Sequence, residues 1–135
     1  MAVTMQGFAG KEHTLNAPTT FTNADVNKVV VLDTSAANTV KLGSDGDIIL
    51  GVLEQVEDLR SQAQGVLATV AFEGGFKVTY DGELAVGNYV VAAADGKVRK
   101  VNTASSGGDT IPAGAHLFQV MEIVDSSAKT AVIFK

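Results

Sequence analysis

The sequence predicts an all-β protein with one small β-barrel domain, and three observations lead to this prediction. An apolar run, a polar turn and a second apolar run that ends in Phe occur twice, in Ile48–Phe72 and in Leu117–Phe134. Turn-forming residues recur about every 8–12 residues, which is typical of sandwiches and barrels. Valine dominates the apolar runs, and β-branched side chains suit a pleated surface. Two hairpins that face each other can close a small barrel.

The first part of the chain, Met1–Asn27, differs from the rest. It mixes small, polar and glycine residues with isolated apolar ones and lacks both helical and strand periodicity. We therefore expect an extended N-terminal arm in residues 1–27, followed by a β-barrel domain in residues 28–135. Within the arm we expect a short strand near Phe8–Thr14 and a single helical turn capped at Thr22–Asp25.

After the arm, short apolar runs alternate with turn signals. Glycine, aspartate and serine supply most of the turns, as in Ser44–Asp47. The clearest hairpin is at Asp95-Gly96, because an Asp-Gly pair accepts the positive φ angles of a tight turn. The runs expected to form strands are Val29–Leu32, Thr39–Leu42, Ile48–Glu57, Val66–Phe72, Phe76–Tyr80, Tyr89–Ala92, Val98–Val101, His116–Val124 and Thr130–Phe134.

Two of these runs contain stretches, Ile48–Val56 and Leu117–Val124, that are nearly continuous rather than alternating. Continuous apolar stretches predict strands that are buried on both faces. In a small barrel one face is the core, so the other must meet another layer, the arm or another subunit. We take this as an indication of oligomerisation. The only segment that resembles a helix of more than one turn is Glu54–Gln64, which we expect to be a loop that extends the turn. The longer turn of the first copy, Glu57–Gln64, is expected to contact a neighbour.

The composition argues against several classes of partner. The chain has 135 residues, no cysteine and a net charge of −5. Its longest basic cluster is Lys97–Lys100, which we expect on the solvent side of a strand. We therefore expect no nucleic-acid partner and no disulfide framework. No segment has the roughly 20 apolar residues of a membrane helix, and Met1–Gly10 lacks signal-peptide features. We expect synthesis in the cytoplasm and no membrane partner.

The ionisable residues do not form a recognisable metal site. His13, with Glu12 beside it, and His116 are far apart in the sequence, and no ligand spacing joins them. Asp45 and Asp47 flank a glycine as in part of a calcium loop, but the remaining ligand positions are missing, so we expect a turn. We assign no metal ligands and no cofactor.

No catalytic constellation is evident in the sequence either. Glu54 and Glu122, the equivalent residues of the repeat, would form a carboxylate dyad if the two hairpins faced each other. Exposure of each on the solvent side of its strand, or at a subunit contact, is the simpler interpretation. Nucleophile motifs and phosphate-binding loops are missing, so we predict no catalytic residues and no enzymatic activity. The aromatic residues expected in the core are Phe72, Phe76, Phe118 and Phe134.

Four segments stand out in order before the closing pair of strands: Ile49–Val52, Phe72–Gly74, Glu83–Val90 and Asp95–Val98. Together they resemble the small head-decoration, or capsid cement, proteins of tailed bacteriophages, and the resemblance covers residues 28–135. The chain departs from the family in two places. It has Asn88 where the family has Asp, and its late strand lacks the family's glycine.

The resemblance implies a β-barrel or β-tulip domain that forms a homotrimer at three-fold and quasi-three-fold positions of an icosahedral head. It implies a virion protein on the outer capsid surface that clamps neighbouring major capsid protein subunits. An extended arm is compatible with this, because it can add as a strand to a neighbour. Two alternatives stay open. One is another virion β-module, such as a tail-tube or spike component, and the other is a small-ligand-binding or enzymatic β-barrel.

Overall fold

The part of the chain that the structure describes folds into β-strands joined by turns and by longer loops. A computed structural model describes Lys11–Lys135. In this range the only helical segments are single 3-10 turns at Asn23–Asp25, Arg60–Gln62 and Ala94–Gly96, so the all-β class is confirmed. The strands are β1 Glu12–Ala17, β2 Val29–Leu32, β3 Val40–Leu42, β4 Gly51–Asp58, β5 Val66–Ala71, β6 Gly75–Thr79, β7 Val90–Ala92, β8 Val98–Lys100, β9 Gln119–Asp125 and β10 Thr130–Phe134.

Five strands form one sheet in the order β1-β5-β4-β2-β3, with antiparallel pairing throughout. The two edge strands also approach each other. Asn16 and Thr39 form a parallel bridge, and the Asn16 N–H donates to the Asn38 carbonyl over 2.8 Å. The sheet therefore curls around a first core, which contains Leu15, Phe21, Val30, Val40, Leu53, Val66, Ala68 and Val70.

The remaining five strands form a second curled unit. They lie in two ladders, β6-β10-β9 and β7-β8, which are joined by single bridges from Tyr89 to Gln119 and from Tyr80 to Val98. Since bridges rather than ladders join the edges, neither unit within residues 11–135 is a fully closed barrel. The second core contains Val29, Ile49, Val52, Val78, Tyr80, Val90, Ala92, Val98, Phe118, Val120, Ala131 and Ile133.

Both copies of the repeated pattern form antiparallel hairpins, as the sequence predicts. The first is β4–β5 and the second is β9–β10, and the connection is longer in the first copy, residues 59–65 against 126–129. The hairpins lie in different units, but Val52 of β4 and Val120 of β9 pack in the same second core. The repeat therefore supplies part of the contact between the two units.

Burial on both faces is confirmed for the first half of β4 only. Val52 lies in the second core and the adjacent Leu53 in the first, whereas Glu54 is exposed. In β9 one face is buried, and the other is open to solvent in the single chain. Met121 is 51% exposed and Val124 is 42% exposed. The second apolar face of β9 is thus left without a layer from residues 11–135.

Three local predictions are confirmed. Asp95 and Gly96 connect β7 to β8 with positive φ angles of 58° and 72°. Thr22 caps the first 3-10 turn, since its side chain accepts a hydrogen bond from the Ala24 N–H. The long turn Glu57–Gln64 contains the end of β4 and a 3-10 turn instead of an α-helix.

Strand β1 lies within the segment that the sequence predicts as an arm. It pairs over its full length with β5, and Leu15 and Phe21 are buried in the first core. The strand expected near Phe8–Thr14 overlaps β1, but Phe8–Gly10 lie outside the described residues. In the structure, Glu12–Ala17 is a strand of the first sheet.

Candidate functional surfaces

An exposed row of side chains crosses three neighbouring segments on the outside of the second unit. Gln119 of β9 is the cross-strand partner of Phe134 in β10 and bridges to Tyr89 just before β7. Directly opposed residues of antiparallel strands lie on the same face. Val120 and Ile133 point into the core, so this row points outward by alternation. Phe134 is 36% exposed and Tyr89 is 52% exposed.

Two further apolar side chains adjoin this row. The Gly87 N–H donates to the Val120 carbonyl over 2.9 Å, and the Val120 N–H donates to the Asn88 carbonyl over 2.8 Å, so the segment before β7 runs beside β9. This places Val86, 65% exposed, next to Met121. A register shift in the β9–β10 ladder makes Met121 an extra residue, and such bulges re-aim side chains.

We call the set Val86, Tyr89, Met121 and Phe134 the apolar face. It holds four of the six large apolar side chains that are exposed in residues 11–135. The sequence pointed to an unpartnered face of Leu117–Val124, but it did not identify the residues across from that run. Their juxtaposition depends on the bridge to Gln119, which no local pattern encodes.

The prediction that Phe134 lies in the core is wrong. Ile133 points into the second core, so its neighbour Phe134 faces outward, and the alternation along β10 was the signal for this. Phe118 is buried as predicted. Phe76 packs edge to face against it at a centroid distance of 6.2 Å, and Phe72 packs against the first core.

The structure does not bring the predicted metal candidates together. His13 lies in β1, where its ring is 6.4 Å from that of Phe72. His116 is exposed in the loop before β9. Within residues 11–135, no group of three histidine, aspartate or glutamate side chains converges in a way that could hold a metal ion.

Glu54 lies beside the carboxylate of Glu12, and not beside that of Glu122, which the repeat suggests. Glu12 is in β1, across β5 from Glu54, whereas Glu122 lies in the other unit. Desolvation, together with the hydrogen bond and negative charge of Glu12, raises the pKa of Glu54. Both Glu54 and Glu122 are exposed, which agrees with the solvent-side interpretation.

Arg99 of β8 ties two loops to the second unit. Its guanidinium donates to both Asp109 carboxylate oxygens over 2.7 and 2.8 Å, and to both Asp45 oxygens over 2.7 and 3.3 Å. The Arg99 hydrogen bonds lower the pKa of Asp109 and outweigh its desolvation. Asp45 and Asp47 lie in a turn, as predicted, in which the Asp47 N–H donates to the Ser44 carbonyl over 3.0 Å. This cluster is accounted for by structural contacts.

The chain matches no protein-family model, no curated protein and no solved structure. In the range 11–135, none of the helical segments has the length and apolar content to cross a membrane.

Proposed function

We propose that this chain is a structural virion protein that binds the outer surface of an icosahedral phage head and stabilises contacts between major capsid subunits. The observation that carries the proposal is the apolar face, Val86, Tyr89, Met121 and Phe134. The resemblance of residues 28–135 to head-decoration proteins supplies the identity of the partner. An all-β fold is compatible with the fold that the resemblance implies.

The apolar face has the properties of a protein contact surface. Clustered exposed apolar side chains usually mark interaction sites, and aromatic residues and methionine are enriched at interfaces. Tyr89 and Met121 adjoin residues that are anchored in the second core, namely Val90 and Val120. The face is therefore presented by a scaffold that needs little ordering upon binding, which reduces the entropic cost of association.

We further propose that the protein acts as a homotrimer at three-fold and quasi-three-fold positions. This part rests on the resemblance. Light scattering of the purified protein, alone and on heads, measures the number of chains in each oligomer. We expect three chains per oligomer. A strict monomer that also fails to bind expanded heads would contradict both parts of the proposal.

The alternatives rank lower for different reasons. A tail-tube or spike component could also present an apolar face, so position in the particle is decisive. Electron microscopy of virions labelled on this chain should place the label on the head, and a label on the tail would contradict our proposal.

A ligand-binding barrel requires internal space, whereas side chains such as Phe21 and Leu53 occupy the first core and Phe118 and Ile133 occupy the second.

A further inference from the structure

The outer edge of β6 has backbone groups that point away from its ladder. Among the described strands, β6 pairs with β10 alone. Gly74 and Tyr80, which flank β6, both donate backbone N–H groups to the β10 side, over 3.1 and 2.9 Å. Hydrogen-bonding direction alternates along an antiparallel strand. Gly75 and Lys77 therefore direct their N–H and carbonyl groups outward.

A groove runs along this edge. Its volume is about 380 Å³, within the range of peptide and ligand sites. The groove is lined by Lys77–Thr79 of β6, by Thr130 of β10, by Ala24 and residues 26–28, and by the hairpin tip Asp95–Lys97. Backbone groups of an edge strand beside a groove are the arrangement used when an extended peptide adds a strand to a sheet.

Two of the three lysines that line the groove form ion pairs within residues 11–135, and the third does not. Lys28 bonds to Asp25 and Asp95, and Lys97 lies 3.4 Å from an Asp81 oxygen. Lys77 is exposed and forms no ion pair with any residue in the range 11–135. The groove therefore has one positive charge, at the centre of the strand edge, without a counterion among residues 11–135.

We propose that this groove binds an extended segment of a different protein, which adds as a strand to β6 and places a carboxylate against Lys77. The N–H and carbonyl groups that β6 directs away from β10 supply the backbone hydrogen bonds, and the ammonium group of Lys77 selects an acidic side chain. The chain's own Val-x-Glu-x-Val segments, Val52–Val56 and Val120–Val124, already lie in ladders with β5 and β10. A second copy therefore has no free segment of this kind in the described residues.

The test uses the full chain and capped peptides of about eight residues, the length of an ordinary strand. The probe alternates valine and glutamate, and the matched control alternates valine and lysine. Amide NMR spectra report where each peptide binds. We expect the acidic peptide to shift the signals of residues 75–79 and 95–97 at about 1 mM. We expect no shift at these residues from the basic peptide or from an acidic peptide with N-methylated backbone.

Variants separate the charge from the backbone edge. Lys77→Glu should abolish binding of the acidic peptide, while Lys41→Glu, the same change at an exposed position of β3, should preserve it. Lys77→Pro removes only an outward N–H and should weaken binding with the fold retained. Met121→Glu should leave peptide binding intact, so failure of this proposal is distinct from failure of the capsid proposal.

Several results would overturn the groove proposal. The first is the lack of any shift at β6 in the wild-type protein at that concentration. The second is equal binding of the acidic, basic and N-methylated peptides. The third is undiminished binding of the acidic peptide to Lys77→Thr together with self-association of that variant, which would show that Lys77 only protects the strand edge from other copies, as edge lysines do in many sheets.

Discussion

At the scale of single residues, Lys28, which lies just before β2, makes a close contact with the β7–β8 hairpin. Lys28 Nζ lies 3.0 Å from an Asp25 oxygen and 3.1 Å from an Asp95 oxygen. The Lys28 side chain also lies against Gly96, where an added Cβ would be 2.5 Å from the Lys28 Cβ. Gly96 has a φ of +72°, so both sterics and backbone conformation require glycine there.

The Gly96→Ala variant should be strongly destabilised. We expect the free energy of unfolding to fall by about 3 kcal/mol, since left-handed strain and overpacking act together. Gly82→Ala is the matched control, because Gly82 has a φ of +73° and no atom within 4 Å of an added Cβ. That variant should lose about 1 kcal/mol from strain alone. Equal losses in urea denaturation would contradict the close approach of Lys28.

The Glu12–Glu54 contact should make stability depend on pH. The pKa of Glu54 is raised in the folded state, from 4.5, by desolvation and then by Glu12. The folded state therefore binds more protons in the window above 4.5, and stability falls as pH rises through it. Glu54→Gln removes this effect and should raise the free energy of unfolding at about pH 7 by about 0.5 kcal/mol, a value reduced for solvent screening.

The same measurement at low pH supplies the internal check. The gain from Glu54→Gln should disappear at about pH 3, where the Glu54 carboxyl group is protonated in the folded and the unfolded state. Glu122→Gln makes the same change in the second hairpin and leaves the Glu12–Glu54 contact in place. A gain that is independent of pH, or an equal gain from Glu122→Gln, would disprove the proposed repulsion.

At the scale of elements, Arg99 of β8 holds two loops through paired hydrogen bonds to Asp45 and Asp109. A lysine cannot form two bidentate contacts, and the Asp109 side chain is only 8% exposed. Arg99→Lys should therefore cost about 2 kcal/mol of stability. Hydrogen exchange should accelerate in residues 44–47 and 102–109.

The control for this prediction is Arg60→Lys. Arg60 also forms paired hydrogen bonds to one carboxylate, Asp58, but both side chains are exposed and close in sequence. We expect Arg60→Lys to change the stability and the hydrogen exchange of the protein very little. If Arg99→Lys behaves in the same way, then the Arg99 cluster does not hold the loops.

The elements predicted from sequence were those specified by neighbouring residues. The Asp95-Gly96 turn, the cap at Thr22 and both long hairpins follow from local chemistry. The pairing of β1 with β5 and the bridge from Tyr89 to Gln119 were not foreseen. These contacts join segments that are distant in sequence, and tertiary packing rather than local propensity selects them. The apolar face depends on one of these bridges, so the sequence indicated only the β9 part of it.

At the scale of the whole molecule, two curled five-stranded units share one contact region. Val52 and Leu53 of β4 point into different cores, so β4 links the packing of both units. The charged residues Glu12 and Glu54 lie on the first unit, while the apolar face lies on the second. The Glu12–Glu54 pair and the apolar face therefore lie on different units, and we propose that the apolar face binds the head.

Co-sedimentation of the protein with expanded phage heads tests the proposed head binding most directly. Met121→Glu places a charge in the apolar face, and desolvation of an unpaired charge should reduce head binding at least about tenfold. Leu32→Glu is the matched control, because Leu32 is also 51% exposed but lies on β2, outside the face. We predict that the wild-type protein and Leu32→Glu sediment with heads and that a folded Met121→Glu does not. Undiminished binding of Met121→Glu, or no binding of the wild-type protein, would contradict the account.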